Sequence, residues 1–152
     1  MLQARDIMTT EVITVSPQTP VLELARLLAD HKINGVPVVA DDGRLVGVVT
    51  QSDLIDRVKK FELPHVITIL DAHFFLERPS TFKKNLEKVL GNEVADIMTS
   101  PAVTIPPEMP LEDIASTMAR RQVHTLPVVA GGKIVGIIGK IDVIRALGRQ
   151  EG

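Results

Sequence analysis

Apolar positions along this chain follow two rhythms, an every-other-residue strand pattern and a 3.6-residue helix pattern, and the order of the two recurs. Val12-Ile13-Thr14-Val15 is short, β-branched and flanked by turn formers, which predicts a strand. Thr19-Pro20 predicts a helix start. Proline in the first helical position loses no intrahelical bond, Thr19 serves as cap, and Val21, Leu24, Ala25 and Leu28 recur on one face. Val36-Pro37-Val38-Val39 and Leu45-Val46-Gly47-Val48-Val49 predict two strands joined through Ala40-Asp41-Asp42-Gly43, a hairpin signal because Asp-Gly tolerates positive φ. Pro37 cannot donate to a ladder and is expected at a strand start or on an edge. A second helix is predicted from Asp53 to Val58.

The same β-α-β-β-α order returns with Pro110, Leu111, Ile114, Ala115 and Met118, then Pro127-Val128-Val129, then Asp142 to Leu147. Sliding residues 4–40 onto 94–130 gives 13 identities in 37 positions, and 43–55 onto 132–144 gives 5 in 13. Asp6-Ile7-Met8-Thr9 reappears as Asp96-Ile97-Met98-Thr99. Two copies are too few for a solenoid, which needs about three units to bury a continuous core. A pseudo-symmetric pair sharing one interface is predicted, α/β (α+β) in class, with repeats at 4–58 and 94–148 and an insert at 59–93. Each copy is marginal in size alone, so the two are expected to fold as one body.

The insert has no counterpart in either copy. Val66-Ile67-Thr68-Ile69-Leu70 predicts a strand, and 82–90 an amphipathic helix with Lys83, Lys84, Glu87 and Lys88 outward and Phe82, Leu86, Val89 and Leu90 inward. All four aromatic residues, Phe61, Phe74, Phe75 and Phe82, lie here. They are expected to pack the insert's own apolar face; the other reading is a partner surface or a lid.

Composition narrows the function. At 152 residues with 45% hydrophobic and 24% charged residues, the chain has a globular make-up. No apolar run approaches the roughly 18 residues of a membrane span, and a cytoplasmic location is expected. Net charge of −2, without a basic block, argues against binding duplex nucleic acid. Zero cysteine excludes disulfides, thiolate nucleophiles and cysteine-ligated zinc. His31, His65, His73 and His124 show no metal-ligand spacing, and neither a phosphate loop nor a nucleophile elbow occurs. No catalytic residue, metal or cofactor is predicted.

The duplicated unit, the Asp-Ile-Met-Thr openings, the Pro-Val-Val strands and Gly47-Val48-Val49-Thr50-Gln51-Ser52-Asp53 together resemble the CBS domain family. The chain is similar to a stand-alone tandem pair, or Bateman module, over about 110 of its 152 residues. The resemblance implies a pseudo-twofold disc, often dimeric, that binds an adenosine nucleotide and regulates a partner without doing chemistry. It places ribose on a Gly-x-x-Thr/Ser-x-x-Asp segment, matched by Gly47, Thr50 and Asp53, where the following helix start also suits a phosphate. The second copy keeps Asp142 but has Gly139 in place of the hydroxyl. His124 resembles a phosphate-contacting histidine that works with the partner repeat's Thr and Asp; its counterpart is Asn34. The arginine frequent after that histidine is Thr125 here, and Arg120 and Arg121 lie nearby.

The principal nucleotide site is therefore expected at Thr50, Asp53 and His124, with Val15, Val36 and Val38 sandwiching the adenine of AMP, ADP or ATP. Asn34, Gly139 and Asp142 form the weaker second cleft. The expected partners are that nucleotide, a second copy of the chain in a homodimer, and a regulated protein the sequence does not name. Two other readings stand beside this one: a sensor of S-adenosylmethionine, and a purely structural dimerisation module in which Thr50 and Asp53 only cap a helix, since Thr-x-x-Asp before an apolar run is also a capping pattern.

Overall fold

The computed structural model describes residues 1–62 and 79–149. In chain order the elements are α1 (Ala4–Ile7), α2 (Val21–His31), β1 (Gly35–Val39), β2 (Leu45–Thr50), α3 (Gln51–Glu62), α4 (Pro79–Leu90), α5 (Val94–Ile97), α6 (Leu111–Arg121), β3 (Thr125–Ala130), β4 (Lys133–Gly139) and α7 (Lys140–Arg149). Two antiparallel hairpins, β1–β2 and β3–β4, each with a bulge at the corresponding place, after Val38 and after Val128, form the two sheets. The first hairpin turns through Gly43 at φ 86°, as its Asp-Gly signal requires. The insert helix spans α4; Lys83, Lys84, Glu87 and Lys88 are exposed and Val89 is buried. The strand expected at Val66–Leu70, with Phe74 and Phe75, lies outside the described residues, as do the side chains of Phe61 and Phe82.

Two expectations are corrected. The predicted strand at Val12–Val15 shrinks to one parallel bridge, Val15 with Val38, and Ile105 with Val128 repeats it. Val15 N–H donates to the Pro37 carbonyl at 3.1 Å and the Val15 carbonyl accepts from Val39 N–H at 2.8 Å. Continuing that ladder towards the N-terminus would need the residue 37 amide to donate to the carbonyl of Ile13, and proline has no N–H to give. On the other side Ser16 already begins a turn, its N–H donating to Thr19 Oγ1 at 3.0 Å. The second correction follows: Thr19 spends its hydroxyl on that turn and does not cap α2. Pro20 occupies the cap position instead, and Val21 N–H donates to the Asn92 carbonyl at 2.7 Å.

That last bond belongs to an exchange between the copies. Residues 92–99, which open copy two, lie on copy one: Val94 N–H donates to the Thr19 carbonyl at 2.8 Å, and Thr99 bridges Val48 with N–H···O distances of 2.8 and 3.0 Å. Residues 2–9 reciprocate on copy two, where Leu111 N–H donates to the Leu2 carbonyl and Thr9 bridges Ile137, all at 2.9 Å. The cores are mixed accordingly. Val94 joins Val15, Leu24, Leu28, Val36, Val38 and Val49, while Ala4 joins Ile105, Leu111, Ile114, Leu126, Val128 and Ile138. Each copy buries the other's opening turn, so the hydrophobic gain that orders one depends on the presence of the other.

Candidate functional site

The helix starts that carry the two aspartates stand at the ends of β2 and β4, and the crossing segments lay Thr99 and Thr9 beside them. Two cavities result. The first, about 180 Å³, is lined by Thr50, Ser52 and Asp53 from copy one and by Thr99, Val103 and His124 from copy two, among others. The second, about 460 Å³, is lined by Gly139, Ile141 and Asp142 with Thr9, Ile13 and Asn34 in the corresponding places. The sequence-derived groupings of Thr50, Asp53 and His124, and of Asn34, Gly139 and Asp142, are thus each brought to one cleft.

The valines are not. Val15 and Val38 are buried in the copy-one core and line neither cleft, and Val36, also buried, borders the Asp142 cleft. The expected sandwich of Val15, Val36 and Val38 is not what lines the Asp53 cleft: its apolar walls are Val48 of copy one and Ala102, Val103 and Val123 of copy two.

Around Asp53 the carboxylate is already well engaged. Its Oδ2 accepts from the Thr50 N–H at 2.9 Å and from the Thr50 hydroxyl at 3.2 Å, while Asp53 N–H donates back to Thr50 Oγ1 at 3.3 Å. That is a reciprocal cap at the start of α3. Its Oδ1 accepts from the Thr99 hydroxyl at 3.1 Å. A carboxylate has about four lone-pair directions, so acceptor capacity for a diol remains on the Oδ1 side. Around Asp142 the arrangement is sparser: Oδ2 accepts from the Gly139 N–H at 2.8 Å, the one hydrogen bond to this carboxylate among the described residues.

Gly47 also stands where the chain has no room for a side chain. A Cβ there would stand 2.7 Å from the Thr99 carbonyl oxygen and 3.0 Å from Met98 Sδ, and one at Gly136 would overlap Met8. Both glycines admit the crossing segment. His124 is exposed at the mouth of the first cleft, and its carbonyl accepts the Lys140 N–H at 3.1 Å. Thr125 is buried and its Oγ1 accepts from Asn34 Nδ2 at 3.3 Å. Asn34 and Thr125 line both clefts, so this bond is the partition between them.

Sequence reasoning missed Ser52, Thr99 and Val103 in the first cleft and Thr9, Lys32 and Lys140 in the second. Thr9 and Thr99 end the repeated tetrapeptide, so that repeat held a signal for them. Only the exchange of opening segments turns it towards the sites. Among the described residues no cluster of His, Asp and Glu could hold a metal ion, and no helix is long and apolar enough to cross a membrane.

The chain is similar to CBSX1, a chloroplastic CBS domain-containing protein of Arabidopsis thaliana, at 35% identity over 87% of this chain and 57% of that protein, so it spans little more than half of that relative's length. It is 30% identical to the CBS domain-containing protein YhcV of Bacillus subtilis, over 93% of this chain and 83% of YhcV. The crystal structure of Arabidopsis CBSX2 in complex with AMP matches the fold with a TM-score of 0.74 at 29% identity, covering all of both chains. The sequence profile of the CBS domain matches residues 4–60 and again 94–149. With both copies matched and the same fold seen in a CBS-pair structure, the chain belongs to the CBS domain family as a tandem pair.

Proposed function

We propose that the pair is a regulatory sensor of adenosine nucleotides, AMP, ADP or ATP, without catalysis of its own. One observation carries the reading: residues 74 positions apart in sequence, Thr50 and His124, meet with Asp53 around one cavity built from both copies. Asp53 Oδ1 accepts from ribose hydroxyls, the α3 N-terminus and His124 meet the phosphate, and Val103 and Val123 hold the base by apolar contact. The AMP complex of CBSX2, similar over its whole length, supports this ligand class. Occupancy bridges the copies and so biases the angle between them, which a bound partner protein reads.

Assembly as a homodimer fits the same reading. Ile55 on α3 and Ile144 on α7 occupy equivalent positions in the two copies and are 57% and 53% exposed, apolar surface of the kind a twofold axis pairs with itself.

Isothermal titration calorimetry with AMP, ADP, ATP and S-adenosylmethionine, on the wild type and Asp53→Ala, tests the sensor reading. AMP binding that is lost in Asp53→Ala is expected; a folded wild type that binds none of the four overturns the reading. A second reading is favoured by the reciprocal Thr50–Asp53 cap, which would exist in a purely structural dimerisation module. That module predicts the same fall in melting temperature for Asp53→Ala with and without nucleotide.

A further inference from the structure

The two clefts differ most in their cations. Lys32 and Lys140 line the Asp142 cleft, whereas Gln122 holds the position equivalent to Lys32 in the Asp53 cleft, which among the described residues no lysine or arginine lines. By sequence Lys140 corresponds to Gln51, which does not line the Asp53 cleft: it borders the Asp142 cleft, and its Nε2 donates to the Ile33 carbonyl at 2.9 Å. Glu11 and Asp142 share the wider cleft with the lysines. With Asp142 engaged by ribose hydroxyls, two cations face one uncommitted carboxylate. Volume runs the same way, about 460 Å³ against about 180 Å³.

We infer that the clefts are specialised for ligands of different charge, with Lys32 and Lys140 making the Asp142 cleft the site for an adenosine di- or triphosphate and the Asp53 cleft the site for the monophosphate. The inference rests on the adenosine reading above. Ammonium groups bind phosphate oxygens by charge-assisted hydrogen bonds, and each added phosphate gains from a second cation within reach. A monophosphate in the Asp53 cleft has His124 and backbone amides instead.

The chain supplies its own structural controls. Lys32 and Gln122 terminate α2 and α6 in the same left-handed conformation, φ 52° and ψ 47°, so Lys32→Gln places a residue the fold already accepts there. Lys140→Gln copies Gln51 at the first position of α3. Calorimetry with AMP and with ATP is then run on the wild type, Lys32→Gln/Lys140→Gln, Asp142→Ala and Gln122→Lys. ATP is expected to weaken about tenfold or more in the double variant while AMP changes by less than about threefold, given the usual strength of charge-assisted bonds. Asp142→Ala should reproduce the ATP loss, and Gln122→Lys should tighten ATP in the Asp53 cleft. Equal weakening of both nucleotides, no change in either, or an ATP loss that follows Asp53→Ala and not Asp142→Ala overturns the specialisation while leaving the sensor reading intact. A wild type that binds neither nucleotide overturns both.

Discussion

Thr99, in the opening segment of the second copy, donates its hydroxyl to Asp53 Oδ1 of the first at 3.1 Å. The contact is possible because the segment has crossed over, its Thr99 backbone exchanging two hydrogen bonds with Val48. A candidate ribose acceptor is thereby tied to the element that holds the two copies together, so a ligand competing for Oδ1 also acts on the crossing strand.

Thr99→Val keeps the side-chain shape and removes the donor. A bond to a charged acceptor contributes about 1.5–3 kcal/mol when sheltered, but Thr99 is exposed, and about 0.5–1 kcal/mol is the expected loss. A double-mutant cycle with Asp53→Ala in urea unfolding should return a coupling of that size. A coupling indistinguishable from zero would show that water replaces the contact without cost.

Gly47→Ala should destabilise by about 1–3 kcal/mol, the usual cost of overpacking, because its Cβ meets a backbone oxygen of the crossing strand at 2.7 Å and no rotamer change relieves that. Gly139→Ala is the matched control. The nearest atoms to its Cβ are Asp142 Oδ2 at 3.7 Å and the His124 carbonyl oxygen at 4.0 Å, so a change within about 0.5 kcal/mol is expected. Urea denaturation decides, and equal costs at the two positions would refute the assignment of Gly47 to the crossover.

These glycines show what the sequence carried and what it withheld. Hairpins and helix faces were legible because each is set by residues within about ten positions of one another, through period and turn chemistry, and the duplication because residues 4–40 recur nearly in register at 94–130. The convergence of Thr50, Asp53 and His124 came from matching the copies to a family pattern, and the fold places all three at one cleft. The exchange of opening segments was not legible: Met8 meets Gly136 and Met98 meets Gly47 across long separations, and neither residue type announces its partner. Pro37 could have told more, since its missing N–H is what reduces Val12–Val15 to a single bridge.

Ile144→Glu should convert the homodimer proposed above to monomer in analytical ultracentrifugation. Ile144 and Leu147 on α7 are about half exposed, and a charge at the centre of an apolar twofold interface is duplicated by symmetry, which makes it costly on both sides. Because Ile144 points away from the cores, the variant monomer should retain its helical circular dichroism. A dimer that survives Ile144→Glu together with Ile55→Glu rules out the α3–α7 face.

Gly35 lies beside the partition between the clefts, and its substitution tests whether the two communicate. A Cβ on Gly35 would stand 2.8 Å from Thr50 Cγ2 and 3.0 Å from Thr125 Oγ1, so it presses at once on the first cleft and on the residue that lines both. Thr125 cannot retreat freely: it is 6% exposed and holds Asn34 Nδ2 at 3.3 Å. Gly35→Ala is therefore expected to cost about 1–3 kcal/mol, as overpacking does. Removing the Thr125 hydroxyl and methyl in Gly35→Ala/Thr125→Ala should recover at least about 0.5 kcal/mol of that, with the Val49 carbonyl oxygen, 3.0 Å away, retaining the remainder. Strict additivity in urea unfolding would mean that Gly35 strains Thr50 or Val49 alone. The partition would then be no route by which one cleft senses the other.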